Sequence, residues 1–197
     1  MDAITLLRND HRTVKDLFRR FERAGDGART TKRRIVDQII EELSVHAAIE
    51  EEVFYPAVRD AAGDTEEMVL ESLEEHHLVK WTLWELERTQ PNDERFEAKV
   101  TVLIENVRHH IKEEEEDLFK RVRKAVGRAE LQQLAERMEA VKRVAPRRPH
   151  PNAPDEPPAN LAMNRQGAIL DAGKEVVSNV AQAVGRVVPG RSEARAS

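Results

Sequence analysis

The chain has no cysteine. Disulfides, thiolate zinc sites, cysteine-bound iron–sulfur clusters and thiol nucleophiles are therefore excluded, and any metal must be held by nitrogen and oxygen. Glycine is scarce, with eight in 197 residues. No apolar run approaches the ~20 residues that a membrane span needs. The first ten residues, Met1 to Asp10, lack both a basic opening and an apolar stretch, so no signal peptide is expected and a cytoplasmic location is the default.

What is present is helix-forming. The residues are 40 % hydrophobic and 35 % charged, and Ala, Leu, Glu, Arg, Lys and Val dominate. That mixture suits amphipathic helices with solvated outer faces. Net charge is −5 but uneven: residues 1–141 hold 23 Lys/Arg against 32 Asp/Glu, and residues 142–197 hold nine against five. The acidic part argues against nucleic-acid binding. The basic tail hints at an anionic partner, although a solvated, disordered tail is the simpler reading.

Periodicity predicts helices over 2–24, 28–55, 65–90 and 93–126, with a shorter one at 128–143. Pro56 should kink or end the second, and Asp64 is a plausible N-cap for the third. Six of the nine prolines fall within Pro146–Pro158, which reads as an extended linker. Residues 166–188 could form a weak helix that docks, self-associates or touches a membrane, within a tail expected to be mostly disordered. The expected division is a bundle at 1–126, an extra helix at 127–145 and a Pro-rich linker and tail at 146–197.

The chain also repeats itself. Asp10-His-Arg-Thr-Val-Lys15 resembles Glu75-His-His-Leu-Val-Lys80, and the segment from His46 resembles that from His110. The separations are 35 residues from His11 to His46 and 34 from His76 to His110. Two copies of one helical hairpin joined by short loops predict an all-α, up-down-up-down four-helix bundle.

The informative residues are polar ones standing in apolar stripes. His11 lies in the stripe Ile4, Leu7, Val14, Phe18, Phe21. His46 and Glu50 interrupt Val36, Ile39, Leu43, Val53, while His110 and Glu114 interrupt Val100, Leu103, Val107, Leu118. A spacing of four puts both members of each His–Glu pair on one face. On the third helix, periodicity leaves His76 and His77 nearly tied, and the repeat favours His76, because valine and lysine follow it at +3 and +4 as they follow His11. His109 reads as surface. A buried carboxylate costs several kcal/mol unless compensated. Two at matched depth among histidines point to bound cations. Imidazole and carboxylate without thiolate suit iron or manganese, with zinc possible.

These residues resemble the hemerythrin family, specifically its bacterial HHE cation-binding branch. The resemblance covers residues 1–125 and includes Phe54-Tyr55-Pro56. It implies two iron ions with an oxo or hydroxo bridge, Glu50 and Glu114 as bridging carboxylates, His11 and His46 on one iron, and His76 and His110 on the other. Oxygen carriers of the family have a further histidine at the position of Ser72, and their second acid falls at Glu115; Glu115 and Glu51 therefore stay open as alternatives. Asp10 and Glu75 are candidates to orient the imidazoles. The implied ligands are O2, H2O2 or NO. Ser72 favours a stress or sensing role with turnover over oxygen storage, and iron binding or sensing without turnover is the alternative. A ferritin-like oxidase is disfavoured, since Glu74-Glu-His-His77 is the one Glu-x-x-His string. A monomer or dimer is expected.

Overall fold

The computed structural model describes residues 1–154 apart from Ala62, Asp64 and the side chain of Asp60. The Asp64 cap and the segment 166–188 thus lie outside the described residues. Seven α-helices follow in order: α1 (Ala3–Arg23), α2 (Arg29–Ile49), α3 (Tyr55–Ala61), α4 (Glu66–Arg88), α5 (Phe96–Glu113), α6 (Phe119–Ala125) and α7 (Arg128–Lys142). The first six assemble into four rods, because α2 runs into α3, and α5 into α6, through one π-helical turn each, Glu50–Phe54 and Glu114–Leu118, and α7 stands as a fifth. Neighbours in the chain are neighbours in space, in the ring α1, α2, α4, α5, so the up-down-up-down bundle is present.

Local chemistry explains the elements. The Asp2 carboxylate accepts from the Thr5 N–H at 2.8 Å and caps α1. The inward faces of α1 and α5 carry apolar residues at three- and four-residue steps, such as Ile4, Leu7, Val14 and Phe18. Pro56 neither ends nor breaks its rod, contrary to the expectation from sequence. The turn before it is already widened: the Tyr55 N–H donates to the Glu50 carbonyl, five residues back. A proline with no N–H fits where the four-residue hydrogen-bond series has just been interrupted.

The buried side chains form two apolar clusters. One gathers Ile4, Leu7, Phe54, Phe119 and Val122 with Leu131, Leu134 and Met138 of α7. The other gathers Val14, Phe18, Ile39, Leu83, Leu103 and Val107 at the opposite end. Between them lies a layer of buried polar residues. Helix α7 packs across α1, α2 and the first π turn.

Residues 146–154 lie against the bundle, where sequence suggested the start of an extended linker. Pro146, Pro149, Pro151 and Ala153 are buried there. Arg147 donates to Glu41 of α2 at 2.5 Å, and Arg148 pairs with Glu87 of α4. Proline lacks a donor and has little entropy to lose, so a proline-rich strap can lie on a surface cheaply.

Truncating fully buried Leu103 to alanine should cost about 2–5 kcal/mol. Denaturant titration of the metal-free protein followed by circular dichroism measures it; a cost under ~1 kcal/mol would contradict this packing.

Candidate metal centre

The polar layer gathers all six residues singled out by sequence. His11, His46, Glu50 and Glu114 place four ligand-type atoms within 4.8 Å of one another, and Glu50, His76 and His110 place three. Each group could hold a metal ion, and Glu50 is common to both. The four imidazole Nε2 atoms converge on two carboxylate oxygens. His46 and His76 lie 3.2 and 3.4 Å from Glu50 Oε2, and His11 and His110 lie 3.2 and 3.5 Å from Glu114 Oε2.

Burial separates two of the pairs left open, while Glu51 is buried like Glu50. His76 is interior, whereas His77 stands at the surface against Trp81. Glu114 is 1 % exposed and Glu115 is 27 % exposed. Glu51 and Glu115 face the outer nitrogens of the imidazoles. His11 Nδ1 donates to Glu115 at 2.9 Å, His76 Nδ1 to Glu51 at 3.0 Å and His110 Nδ1 to Glu75 at 2.7 Å. His46 Nδ1 stands 3.9 Å from Asp10, beyond hydrogen-bond range, because Lys142 of α7 draws that carboxylate away at 2.5 Å.

These partners close a ring. Asp10 of α1 faces the histidine of α2, and Glu51, just past α2, serves that of α4. Glu75 of α4 serves that of α5, and Glu115, just past α5, serves that of α1. A donor at Nδ1 fixes the tautomer that aims the Nε2 lone pair inward. Lysines repeat the pattern: Lys80 donates to Glu51 at 3.0 Å and Lys15 to Glu115 at 3.1 Å. Lys80 is an interior cation, but it stands behind Glu51 and not at Glu50.

The two halves differ at one oxygen. Tyr55 and Phe119 occupy equivalent places, five residues after Glu50 and Glu114. The Phe119 ring stacks on His11 at 5.9 Å, and the Tyr55 ring tilts on His76 at 5.5 Å. The Tyr55 hydroxyl donates to Glu114 Oε1 at 2.9 Å and stands 3.4 Å from His76 Nε2. Ser72 lies beside it, its hydroxyl donating to the Met68 carbonyl. Sequence pointed to Phe54-Tyr55-Pro56 only as part of a motif. The π turn brings the tyrosine inward, and four-residue helical spacing does not reveal it.

Charges in the layer are strongly displaced. Burial, then the Glu114 carboxylate, pushes Glu50 well above its ordinary value. Glu114 is held low: burial opposes this, but His110, His11 and His46 together outweigh it. Burial pulls His46 down to about 4, against Asp10, and lowers His76 as well. Burial, with the two buried glutamates, keeps the Tyr55 hydroxyl protonated and hence a donor. His11 Nε2, His46 Nε2, both Glu50 oxygens and Glu114 Oε2 have no hydrogen-bond partner. Buried acceptors and imidazoles are rarely left so. Their clustering suits cations.

Above the four histidines Val14, Leu43, Val79, Val107 and Ile111 roof a cavity of about 20 Å³. That is room for roughly one water-sized molecule, in a dry setting.

The fold and this layer define a four-helix bundle with a buried, paired histidine–carboxylate centre. Residues 2–122 match the hemerythrin HHE cation binding domain, and the chain belongs to that family. An uncharacterized hemerythrin-like protein of Schizosaccharomyces pombe is 28 % identical over 169 residues, covering 85 % of this chain and 82 % of the relative. A DNA nickase of Nostoc is 31 % identical over 144 residues, 72 % of this chain but only 39 % of that protein. The crystal structure of a hemerythrin HHE cation binding domain-containing protein from Mycobacterium kansasii superposes with a TM-score of 0.63 at 26 % identity, covering 73 % of this chain and 86 % of that one.

A carboxyl raised on folding weakens the fold as pH climbs above its unfolded value, because the native state then holds the extra proton. Glu50→Gln should therefore stabilise the metal-free protein, by about 1–3 kcal/mol at neutral pH and progressively less as pH falls toward 4.5. Thermal melts in chelator across pH 4.5–8 check the sign; a variant less stable than wild type at pH 8 would contradict it.

Proposed function

We propose that the protein is a di-iron protein that binds or reacts with O2, H2O2 or NO. The observation carrying this reading is the two buried histidine and glutamate groups that share Glu50, in which His11 Nε2, His46 Nε2, both Glu50 oxygens and Glu114 Oε2 lack a hydrogen-bond partner. His11 and His46 would hold one ion, His76 and His110 the other, with Glu50 and Glu114 between them. Nitrogen and oxygen donors without thiolate fit iron, and manganese or zinc less distinctively. Two bound iron ions would supply the electrons that reduction of oxygen or peroxide requires.

The chain's own residues do the rest. Glu51, Glu75 and Glu115 hold the imidazoles in the tautomer that leaves Nε2 free. The aliphatic roof keeps bulk water out and leaves room for roughly one water-sized molecule beside the histidines. The Tyr55 hydroxyl donates the hydrogen bond that fixes Glu114 Oε1. Ser72, bonded to a main-chain carbonyl, adds no imidazole on that side. Fewer nitrogen donors leave more exchangeable positions, which favours turnover over storage.

Purified, iron-reconstituted protein should contain roughly two metal ions per chain by elemental analysis, and Glu50→Ala should lose them. Under half an equivalent in wild type would sink the reading. Glu51→Ala and Glu115→Ala should each weaken iron binding about 10–100-fold, measured by chelator competition.

Hydrogen peroxide consumption by the iron-loaded protein should exceed that of His46→Ala, which should fall to the level of free iron. Equal rates would instead favour iron binding or sensing without turnover. A stopped-flow oxygen spectrum that persists and reverses on degassing would favour storage.

A further inference from the structure

Helix α4 carries a second apolar stripe that faces out of the bundle. Leu70 is 44 % exposed, Leu78 60 % and Trp81 39 %. Leu70, His77, Trp81 and Trp84 recur at seven-, four- and three-residue steps, the spacing of one line along a helix. The two indoles meet edge to face at 5.5 Å, and the Arg88 guanidinium lies 4.0 Å over Trp84. The exposed Glu74 stands between Leu70 and His77 on this line, and His77 and Trp84 are half-buried; exposed apolar side chains grouped on one face of a helix mark an interaction site more often than an accident.

The chain itself leads to this stripe. Residues 146–154 cross from α2 to α4, through Arg147 on Glu41 and Arg148 on Glu87, and His150 shares a small cavity with Lys80 and Glu51. Lys80 and Glu87 lie one line over from Trp81 and Trp84 on the same helix. From residue 154 to residue 197, 43 residues remain.

Within them Ile169, Gly173, Val176, Val180, Val184 and Val187 follow steps of four, three, four, four and three. As a helix that line would be about 27 Å long, against about 21 Å from Leu70 to Trp84. The intervening residues 155–168 give ample reach. Residues 166–188 hold Asp171, Lys174, Glu175 and Arg186, a balanced set, so an anionic surface gives no particular attraction. Valine-rich helices form poorly alone and need a surface to fold against.

We propose that residues 169–187 dock in cis as a helix on the outer stripe of α4, covering Leu70, Leu78, Trp81 and Trp84. This would give the second hairpin an outer helix of its own, as α7 covers the first.

Trp81 and Trp84 are the two tryptophans of the chain, and the tail beyond residue 154 has no aromatic residue, so indole fluorescence reads this face alone. The test compares metal-free, full-length wild type with the full-length triple variant Val176→Asp, Val180→Asp, Val184→Asp. Acrylamide quenching should rise about twofold in the variant, with emission shifted to the red, as indole burial is lost. The difference should be independent of protein concentration and little changed by salt. Equal quenching in both proteins would overturn the proposal. So would protection that vanishes on dilution alongside a dimer in sedimentation, which would assign the stripe to a second copy. Because the chain has no cysteine, the pair Leu78→Cys, Val180→Cys gives an independent readout. Oxidation should yield a cross-linked monomer, and exclusively intermolecular or absent cross-links count against docking in cis.

Discussion

Two carboxylates and four imidazoles share one plane of an otherwise apolar interior. That placement is the constraint on which the molecule turns. Glu50 and Glu114 are fully enclosed, and their Oε2 atoms sit among four Nε2 atoms at 3.2–3.5 Å. An apolar layer packs on each side, so water cannot screen them. Without cations, the protein can only move protons, which the opposite shifts of Glu50 and Glu114 express. The cost of this layer is set against the two flanking cores, and it explains why both clusters are rich in large, fully buried side chains such as Phe18, Phe54 and Phe119.

Around the layer runs the ring of outer carboxylates, each contributed by the rod next to the histidine it faces. The ring ties the hairpins together, since His11 and His76 take their outer carboxylates from the other hairpin, whereas His46 and His110 face one within their own. The repeat gives this ring an approximate twofold character, which three differences break. Tyr55 brings a hydroxyl where Phe119 has none. Lys80 is buried where Lys15 is at the surface. Lys142 of α7 loosens Asp10 from His46 on one side only. The two metal-binding groups are thus chemically distinct although they descend from one pattern.

Much of this was legible in the sequence. The four long rods, their order and the inward position of His11, His46, Glu50, His110 and Glu114 follow from polar residues interrupting apolar stripes. The repeat favoured His76 over His77, and His76 is the one that lies in the interior. Three features escaped. The roles of Glu51 and Glu115 depend on which neighbouring rod they face, and periodicity along one helix carries no such information. Tyr55 and the passage of the rod through Pro56 depend on π turns, whose hydrogen bonds leave no compositional mark. The strap at 146–154 was hidden because proline-rich composition describes a chain without a partner, and here the grooves beside α2 and α4 provide one.

The two π turns carry a consequence for how this sequence can change. Each packs the equivalent of one surplus residue into a rod that continues on both sides, starting at the glutamate that faces the other hairpin. Tightening Glu50–Phe54 or Glu114–Leu118 to an ordinary helix with all its residues kept would swing every later side chain by about 100°. Phe119, Val122 and their counterparts would then leave the core together. A descendant of this chain can therefore lose the surplus residue of a turn only together with its widened hydrogen bonding.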